Sequence, residues 1–287
     1  MIITVTLNPA IDQTVVVESM IVGETNRVRE SRLDPGGKGV NCSRALRVLG
    51  AETVATGFAP GGMGRYVEQA LSDMGVLCDF VHTRGEVRMN MTIHNIRRNT
   101  STMIVDAGPQ TDIRYVDELI ERIRRHVKPG DWMVVAGSVP PPIPAGIYLD
   151  LIELGNALGA YTVLDADGEA LQAGVRGRPW VVKANRRELG RLFRREFHTE
   201  ADAVNALKEL RRGGVGVAVI TRGRDGAIGM DDSGCYLALP PRIHQSTPVG
   251  AGDAFLAGLI KVLSEDGSLP DALRLATAVG AAAAVTQ

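Results

Sequence analysis

Thr111-Asp112-Ile113-Arg114-Tyr115-Val116-Asp117-Glu118-Leu119-Ile120-Glu121-Arg122-Ile123-Arg124-Arg125-His126-Val127-Lys128-Pro129-Gly130-Asp131-Trp132-Met133-Val134-Val135-Ala136 holds the fold class in miniature. Ile113, Val116, Ile120, Ile123 and Val127 recur at three- and four-residue steps, which places them on one face of a helix, and Pro129-Gly130 ends it. The unbroken apolar run from Trp132 to Ala136 then reads as a strand buried on both faces. Outward from this pair the same alternation continues. Strand-length runs fall at Thr53 to Phe58, Thr162 to Asp165, Trp180 to Lys183 and Val217 to Thr221. Helical patterns fit Val40 to Leu49, Gly64 to Met74, Ala145 to Leu158, Ala201 to Arg211 and Asp271 to Val285. Such alternation predicts an α/β fold with a mostly parallel sheet covered by helices.

Two segments break the rhythm. About 14–33 carries β-prone stretches at Val15-Val16-Val17 and Arg27 to Arg32, and about 89–106 reads as a hairpin around an Arg97-Arg98-Asn99 turn. Four such strands would form a small second sheet. That sheet is too small to stand alone, so it is expected to rest on a ligand, on the main sheet or on a second copy of itself. A length of 287 residues otherwise fits one domain over 1–287, with these segments as insertions.

Composition narrows the function. Lys+Arg 32 against Asp+Glu 33 leaves a formal charge of -1, with no block of like charges suited to nucleic acid. Cys42, Cys78 and Cys235 are odd in number and far apart, which suggests neither a disulfide framework nor a thiolate metal site. Met1 to Leu7 is apolar but lacks a basic leader and stops at Asn8-Pro9, so it reads as a first buried strand. The expectation is a cytoplasmic protein with no membrane partner.

Near the C-terminus, Thr247-Pro248-Val249-Gly250-Ala251-Gly252-Asp253-Ala254 precedes the apolar helical run Phe255 to Leu263. Small residues at a helix start let backbone N–H groups converge on an anion, and a carboxylate there can take a proton. A plain turn with a favourable first-turn acid is the alternative. Pro35-Gly36-Gly37-Lys38-Gly39-Val40-Asn41 also enters a helix, while Asp12 follows the first strand. Gly36 and Gly37 would admit a polar ligand, Lys38 would meet an anionic group, and Asn41 and Asp12 would bond hydroxyls. The spacing is not that of a Walker P-loop.

Together these stretches resemble the signature regions of the PfkB (ribokinase-like) carbohydrate kinases. Asn8-Pro9-Ala10-Ile11-Asp12, Gly36 to Asn41, Gly137-Ser138-Val139-Pro140-Pro141, Asp165 to Leu171, Lys183-Ala184-Asn185-Arg186-Arg187-Glu188-Leu189 and Gly250-Ala251-Gly252-Asp253 are similar, in order, to the ketohexose-phosphate branch. That branch holds 1-phosphofructokinases and tagatose-6-phosphate kinases. The resemblance implies a three-layer αβα architecture with a small β-sheet lid, using ATP and Mg²⁺.

By the same resemblance Asp253 is the general base, and the Gly250, Ala251 and Gly252 amides steady the transferring phosphoryl group. Asp12, Gly36, Gly37, Lys38 and Asn41 hold the sugar phosphate, helped by Arg88, Ser138 and Arg27. Read alone, Arg88 is an ordinary solvated arginine and Ser138 a turn hydroxyl. Asn185 and Glu188 resemble the Asn-x-x-Glu element implied to organise the water shell of Mg²⁺, though the same spacing makes a helix capping box. Lys183, Thr221, Gly223 and Gly226 are implied to meet the nucleotide; alone, Thr221 to Ala227 reads as a hairpin turn.

The chain departs from the family in Ala184, where Pro is common, and in Thr247, where Asp or Asn is common. It ends at Gln287, where members usually continue beside the adenine, so an incomplete adenine pocket is the corresponding expectation. The implied reaction converts fructose 1-phosphate to fructose 1,6-bisphosphate, with tagatose-6-phosphate kinase and 6-phosphofructokinase activity as alternatives. A sugar-phosphate-binding protein without chemistry is the alternative of another class. A homodimer through the lid sheet is expected.

Overall fold

Period-two alternation puts Ile3 and Val5 on one face of the first strand and Ile2 and Thr4 on the other, and all four are buried. A strand buried on both faces needs a helical layer on each side, and that is the arrangement in the computed structural model, which describes residues 1–241, 243 and 250–285. Thr247, Pro248 and Val249 lie outside the described residues.

In chain order the elements begin with β1 (Ile2–Thr6), β2 (Ala10–Val17), β3 (Val28–Gly36), α1 (Lys38–Val48), β4 (Thr53–Pro60), α2 (Gly61–Asp73) and β5 (Leu77–Thr83). Next come β6 (Arg88–Asn95), β7 (Thr100–Ile104), α3 (Tyr115–His126), β8 (Trp132–Gly137), α4 (Ile147–Ala157), β9 (Tyr161–Ala166) and α5 (Gly168–Arg176). The last are β10 (Val181–Asn185), α6 (Arg186–Phe193), α7 (Glu200–Arg212), β11 (Val217–Thr221), β12 (Ala227–Met230), β13 (Cys235–Ala238), α8 (Ala251–Leu263) and α9 (Leu269–Ala283).

The large sheet has the order β13-β12-β11-β10-β9-β8-β1-β4-β5, with every neighbouring pair parallel except β11–β12 and β12–β13, which are antiparallel. Helices α3 to α7 cover the face that carries Ile3, Val5, Met133 and Val135. On the other face α1, α8 and α9 cover Ile2, Val134 and Ala136, while α2 packs over Ala55, Ala59 and Phe80. The expected α/β architecture with a mostly parallel sheet and a smaller one is what the chain adopts.

Element boundaries differ from the sequence reading for local reasons. The Asp112 side chain accepts from the Arg114 amide at 3.0 Å and the Asp112 carbonyl from the Tyr115 amide at 3.1 Å. This turn delays α3 to Tyr115 and leaves Ile113 exposed, although its spacing put it on the apolar face. Trp180 lies outside the strand that was expected to start there, half-exposed, and β10 begins at Val181.

The small sheet has the order β3-β2-β6-β7. Its central pair, β2 and β6, is parallel, which joins the two inserted segments, and the hairpin turn falls at Arg97-Arg98-Asn99 as read. Register gives the sheet two unlike faces: Asp12 pairs Asn90 on one, while Ile11 pairs Met89 and Val15 pairs Ile93 on the other. Leu33 and Ile104 join the apolar face through their partners Gln13 and Met91. The polar face carries the candidate substrate residues. Among the described residues no helix is long and apolar enough to cross a membrane.

Candidate active site

The order of strands reverses between β1 and β8, because β1 leads to β4 on one side while β8 leads to β9 on the other. In open α/β sheets the crevice beyond the carboxyl ends of such strands is where ligands bind. Asn8 and Ser138 stand there, and the N-termini of α1, α6 and α8 surround it.

Gly250 caps α8 with φ 74°, a left-handed conformation that glycine adopts without strain. Its carbonyl accepts from the Asp253 and Ala254 amides at 3.1 and 2.9 Å. Helix geometry leaves the Ala251 and Gly252 amides without intrahelical acceptors, so the start of α8 offers N–H donors and a partial positive charge. Asp253, one turn in, is buried, and its Oδ2 accepts from Asn41 Nδ2 at 2.8 Å. Burial, and then the charge of Asp165, push its carboxyl up to about 6 against the pull of Lys183 and Lys38. A carboxylate near that value is suited to accept a proton at neutral pH.

Beneath the α8 start lies a charge network. Asp165, at the end of β9 and fully buried, accepts from Lys38 Nζ through Oδ1 and from Lys183 Nζ through Oδ2, each at 2.7 Å. Burial opposes its charge, but the two ammonium groups outweigh that and hold it below the usual carboxylate range. Lys38 Nζ also donates to Glu188 Oε1 at 2.9 Å. Burial would lower the Lys38 ammonium, yet Asp165, Glu188 and Asp253 hold it above its ordinary value. A Cβ on Gly252 would lie 3.2 Å from Lys183 Nζ, so this ammonium sits directly under the first turn of α8.

Asn185 caps α6, accepting from the Arg187 and Glu188 amides at 2.9 and 3.0 Å, and Glu188 Oε2 accepts in return from the Asn185 amide at 2.7 Å. The capping-box reading of this spacing is therefore realised, whatever else the pair does.

On the small-sheet side, Asp12 Oδ1 accepts from Asn90 Nδ2 at 2.9 Å. Burial raises the Asp12 carboxyl, against the Asn90 bond and the nearby Arg88 charge. Arg88, whose own charge burial disfavours, donates to the carbonyls of Asn8 and Asp106 at 3.3 and 3.2 Å. Tyr148, fully buried, donates to the Gly137 carbonyl at 2.9 Å next to Ser138.

Two cavities flank the α8 start. One, of about 630 Å³, is lined by Asn185, Thr221, Gly223, Gly226, Ala251 and Gly252, with Phe255 and Thr277 deeper in. The other, of about 500 Å³, has Asp12, Asn41 and Gly250 at one end and Arg44 and Val48 at the other. Gly250 to Gly252 thus stand between the two cavities, with Ala251 and Gly252 lining the first and Gly250 lining the second beside Asp12 and Asn41. The arrangement can steady an anion at the divide and remove a proton there.

Most residues singled out in the sequence converge on this region, with two exceptions. Lys38, expected to hold the sugar phosphate, does not leave its ammonium free for an anion. Two buried carboxylates attract its ammonium to the Asp253 side instead. Arg27 is not brought to the site of its own chain. It lies exposed in the loop joining β2 to β3, and β3, with nine residues, separates it from the Gly36 end by roughly 25–30 Å. Sequence reasoning assigned no role to Asn8, Asn90, Tyr148 or Asp165. Asn8 and Asp165 both stood in family-like stretches, and Asp165 was also an acid at the end of an apolar strand, whereas Asn90 and Tyr148 carried no signal.

Three comparisons accord with this geometry. The model of the pfkB family carbohydrate kinases matches residues 5–287. A D-tagatose-1-phosphate kinase of Bacillus licheniformis is 32% identical over 288 residues, covering 100% of this chain and 93% of the relative. A 1-phosphofructokinase of Bacillus subtilis is 32% identical over 287 residues with the same coverages. Among solved structures, the tetrameric inhibited form of phosphofructokinase-2 from Escherichia coli superposes with a TM-score of 0.93 at 29% identity, covering 99% of this chain and 94% of that one.

Proposed function

The chain belongs to the pfkB family of carbohydrate kinases, and from that membership we propose that it transfers the γ-phosphoryl group of ATP to a ketohexose phosphate. The substrate is a ketohexose 1-phosphate, with fructose 1-phosphate, giving fructose 1,6-bisphosphate, as the first choice. The names of the two Bacillus relatives support a 1-phosphate over the 6-phosphates and add tagatose 1-phosphate as the alternative acceptor. The observation that carries the reading is the buried Asp253 carboxylate, held by Asn41 in the first turn of α8 between a cavity lined by Ala251 and Gly252 and one lined by Asp12 and Asn41.

In this reading the adenine and ribose lie in the 630 Å³ cavity against Phe255 and Thr277, near Thr221, Gly223 and Gly226. The sugar hydroxyls meet Asp12 and Asn41, and the phosphate already on the sugar meets Arg88 and Ser138. Asp253 accepts the proton of the attacking hydroxyl at a carboxylate oxygen, and Asn41 orients that carboxylate. The Ala251 and Gly252 amides steady the charge that grows on the phosphoryl oxygens, with Lys183 and Lys38 beneath them. Little covalent chemistry falls to the protein; alignment and charge are its contribution.

Mg²⁺ fits the residues present only through water. Both Glu188 oxygens and the Asn185 side chain are engaged, and among the described residues no group of three or more acids, histidines or cysteines could hold an ion. Asn185 and Glu188 would meet the water shell of an ion carried by the nucleotide. That ion supplies positive charge to the phosphates. The small sheet serves as a lid over the sugar, and its apolar face, with Leu33, Met89 and Ile104 half-exposed, supports a homodimer. The cytoplasm, where ATP is available, is the compartment this reading implies.

The deciding experiment is ATP turnover against fructose 1-phosphate, tagatose 1-phosphate, fructose 6-phosphate and tagatose 6-phosphate. The expected result is the highest kcat/KM with a 1-phosphate. Turnover of none of the four, or a clear preference for a 6-phosphate, would overturn the assignment.

A further inference from the structure

Asn8 occupies the junction where the main sheet passes the chain to the small one, just after β1, and it is only 3% exposed. Its Nδ2 donates to the carbonyl oxygen of Ala107 at 2.9 Å and to the hydroxyl oxygen of Ser138 at 3.1 Å. A backbone carbonyl only accepts, so the nitrogen must be the atom facing Ala107, and this fixes the orientation of the carboxamide. Both amide hydrogens are then engaged. Because Ser138 Oγ receives one of them, its own O–H proton must point elsewhere, and a serine so held presents itself as a donor. Phosphate oxygens are acceptors.

The same residue also holds the second candidate phosphate ligand. Arg88 Nε donates to the Asn8 backbone carbonyl at 3.3 Å, so the arginine from the small sheet and the serine from the large sheet are both tied to one position. Asn8 Oδ1 is buried and, among the described residues, has no hydrogen-bond partner. A buried acceptor left unsatisfied is unfavourable, so the carboxamide is retained here for its donors. The connection after β7 closes tightly upon it. A Cβ on Gly108, which has φ 101°, would overlap Asn8 Oδ1.

We propose that Asn8 is a positioning residue for the phosphate carried by the sugar: it turns the Ser138 hydroxyl into a dedicated donor and ties the post-β7 connection to that hydroxyl. The inference rests on the reading that Ser138 meets this phosphate. It acts on sugar-phosphate affinity and leaves the phosphoryl-transfer step alone.

The test is a mutant cycle on the full chain, with KM for fructose 1-phosphate, KM for ATP and kcat measured for S138A, N8A, N8D, G108A and the doubles N8A/S138A and G108A/S138A. Loss of one hydrogen bond to a charged phosphate corresponds to a rise of about ten- to a hundredfold in the sugar-phosphate KM. S138A and N8A are each expected to show it, with the ATP KM within about twofold of native and little change in kcat. In the doubles the rise should not exceed that of S138A alone, since Asn8 and Gly108 act through Ser138. G108A leaves Asn8 in place and displaces its carboxamide at the cost of backbone strain at φ 101°, and N8D, which keeps the side chain's shape but replaces the donating nitrogen with an oxygen, reports where either alanine variant fails to fold. Effects of N8A or G108A that multiply with that of S138A, or that fall equally on ATP, would reduce Asn8 to a structural role and overturn the inference. If S138A itself leaves the sugar-phosphate KM unchanged, the reading of Ser138 fails, and the inference with it.

Discussion

Asp253 carries opposing demands. Burial and the neighbouring Asp165 raise its carboxyl to about 6, so between the ordinary carboxylate range and that value the folded protein holds a proton the unfolded chain has lost. The stability this gives is present at low pH and is lost as pH rises through about 6. Asp253→Asn should therefore raise the melting temperature at pH 8, by an amount equivalent to at most about 3 kcal/mol, and leave it unchanged near pH 4. The same change should lower kcat by about 10²–10⁴, and the native kcat/KM should fall below pH 6 with an apparent pKa near that of Asp253. A flat profile down to pH 5 would remove Asp253 as the base. Asp165→Asn strips two buried ammonium groups of a shared partner and should cost about 3–5 kcal/mol, measured by denaturant unfolding. Lys38→Ala should lower kcat and change the sugar-phosphate KM little, because its ammonium lies toward Asp165 and Asp253. A raised KM with kcat intact would return Lys38 to the sugar-phosphate end.

At the scale of elements, the helix starts explain how distant residues converge. α1, α6 and α8 each begin at the same edge of the sheet, which brings Lys38, Glu188 and Asp253 together with Asp165. Helices and parallel strands were legible in the sequence because their periods are local: Val116, Ile123 and Val127 recur at the expected spacing and are buried, while Ile120 is partly so and the buried Leu119 was not among the residues read. The network around Asp165 was not legible, since Lys38 is 127 residues away and nothing near either residue encodes the pairing. Asn8 was hidden for the same reason, its partners Ala107 and Ser138 being 99 and 130 residues distant. The small sheet belongs to this scale too. Ile104→Lys, on its exposed apolar face, should convert a dimer to a monomer in light scattering and leave the melting temperature of the main sheet within a few degrees. A native protein that is already monomeric at micromolar concentration would refute the proposed pairing.

For the whole molecule, the point where strand order reverses gathers the site, and the sheet around it is the chief store of stability. Leu119 and Ile123 are fully buried against it, and Leu119→Ala should cost about 2–5 kcal/mol in denaturant unfolding without altering either KM. The sequence announced this layout through alternation alone, but the position of β1 in mid-sheet is a property of topology that no local pattern carries. That position has a bearing on biosynthesis. β1 leaves the ribosome well before its partner β8, which begins at Trp132, so at about 5–20 residues per second the strand waits roughly 6–26 seconds with one edge unpaired. Nascent chains halted before β8 should bind chaperones or self-associate through the open β1 edge, and that tendency should fall in steps as β8, β9 and finally α8 and α9 are added.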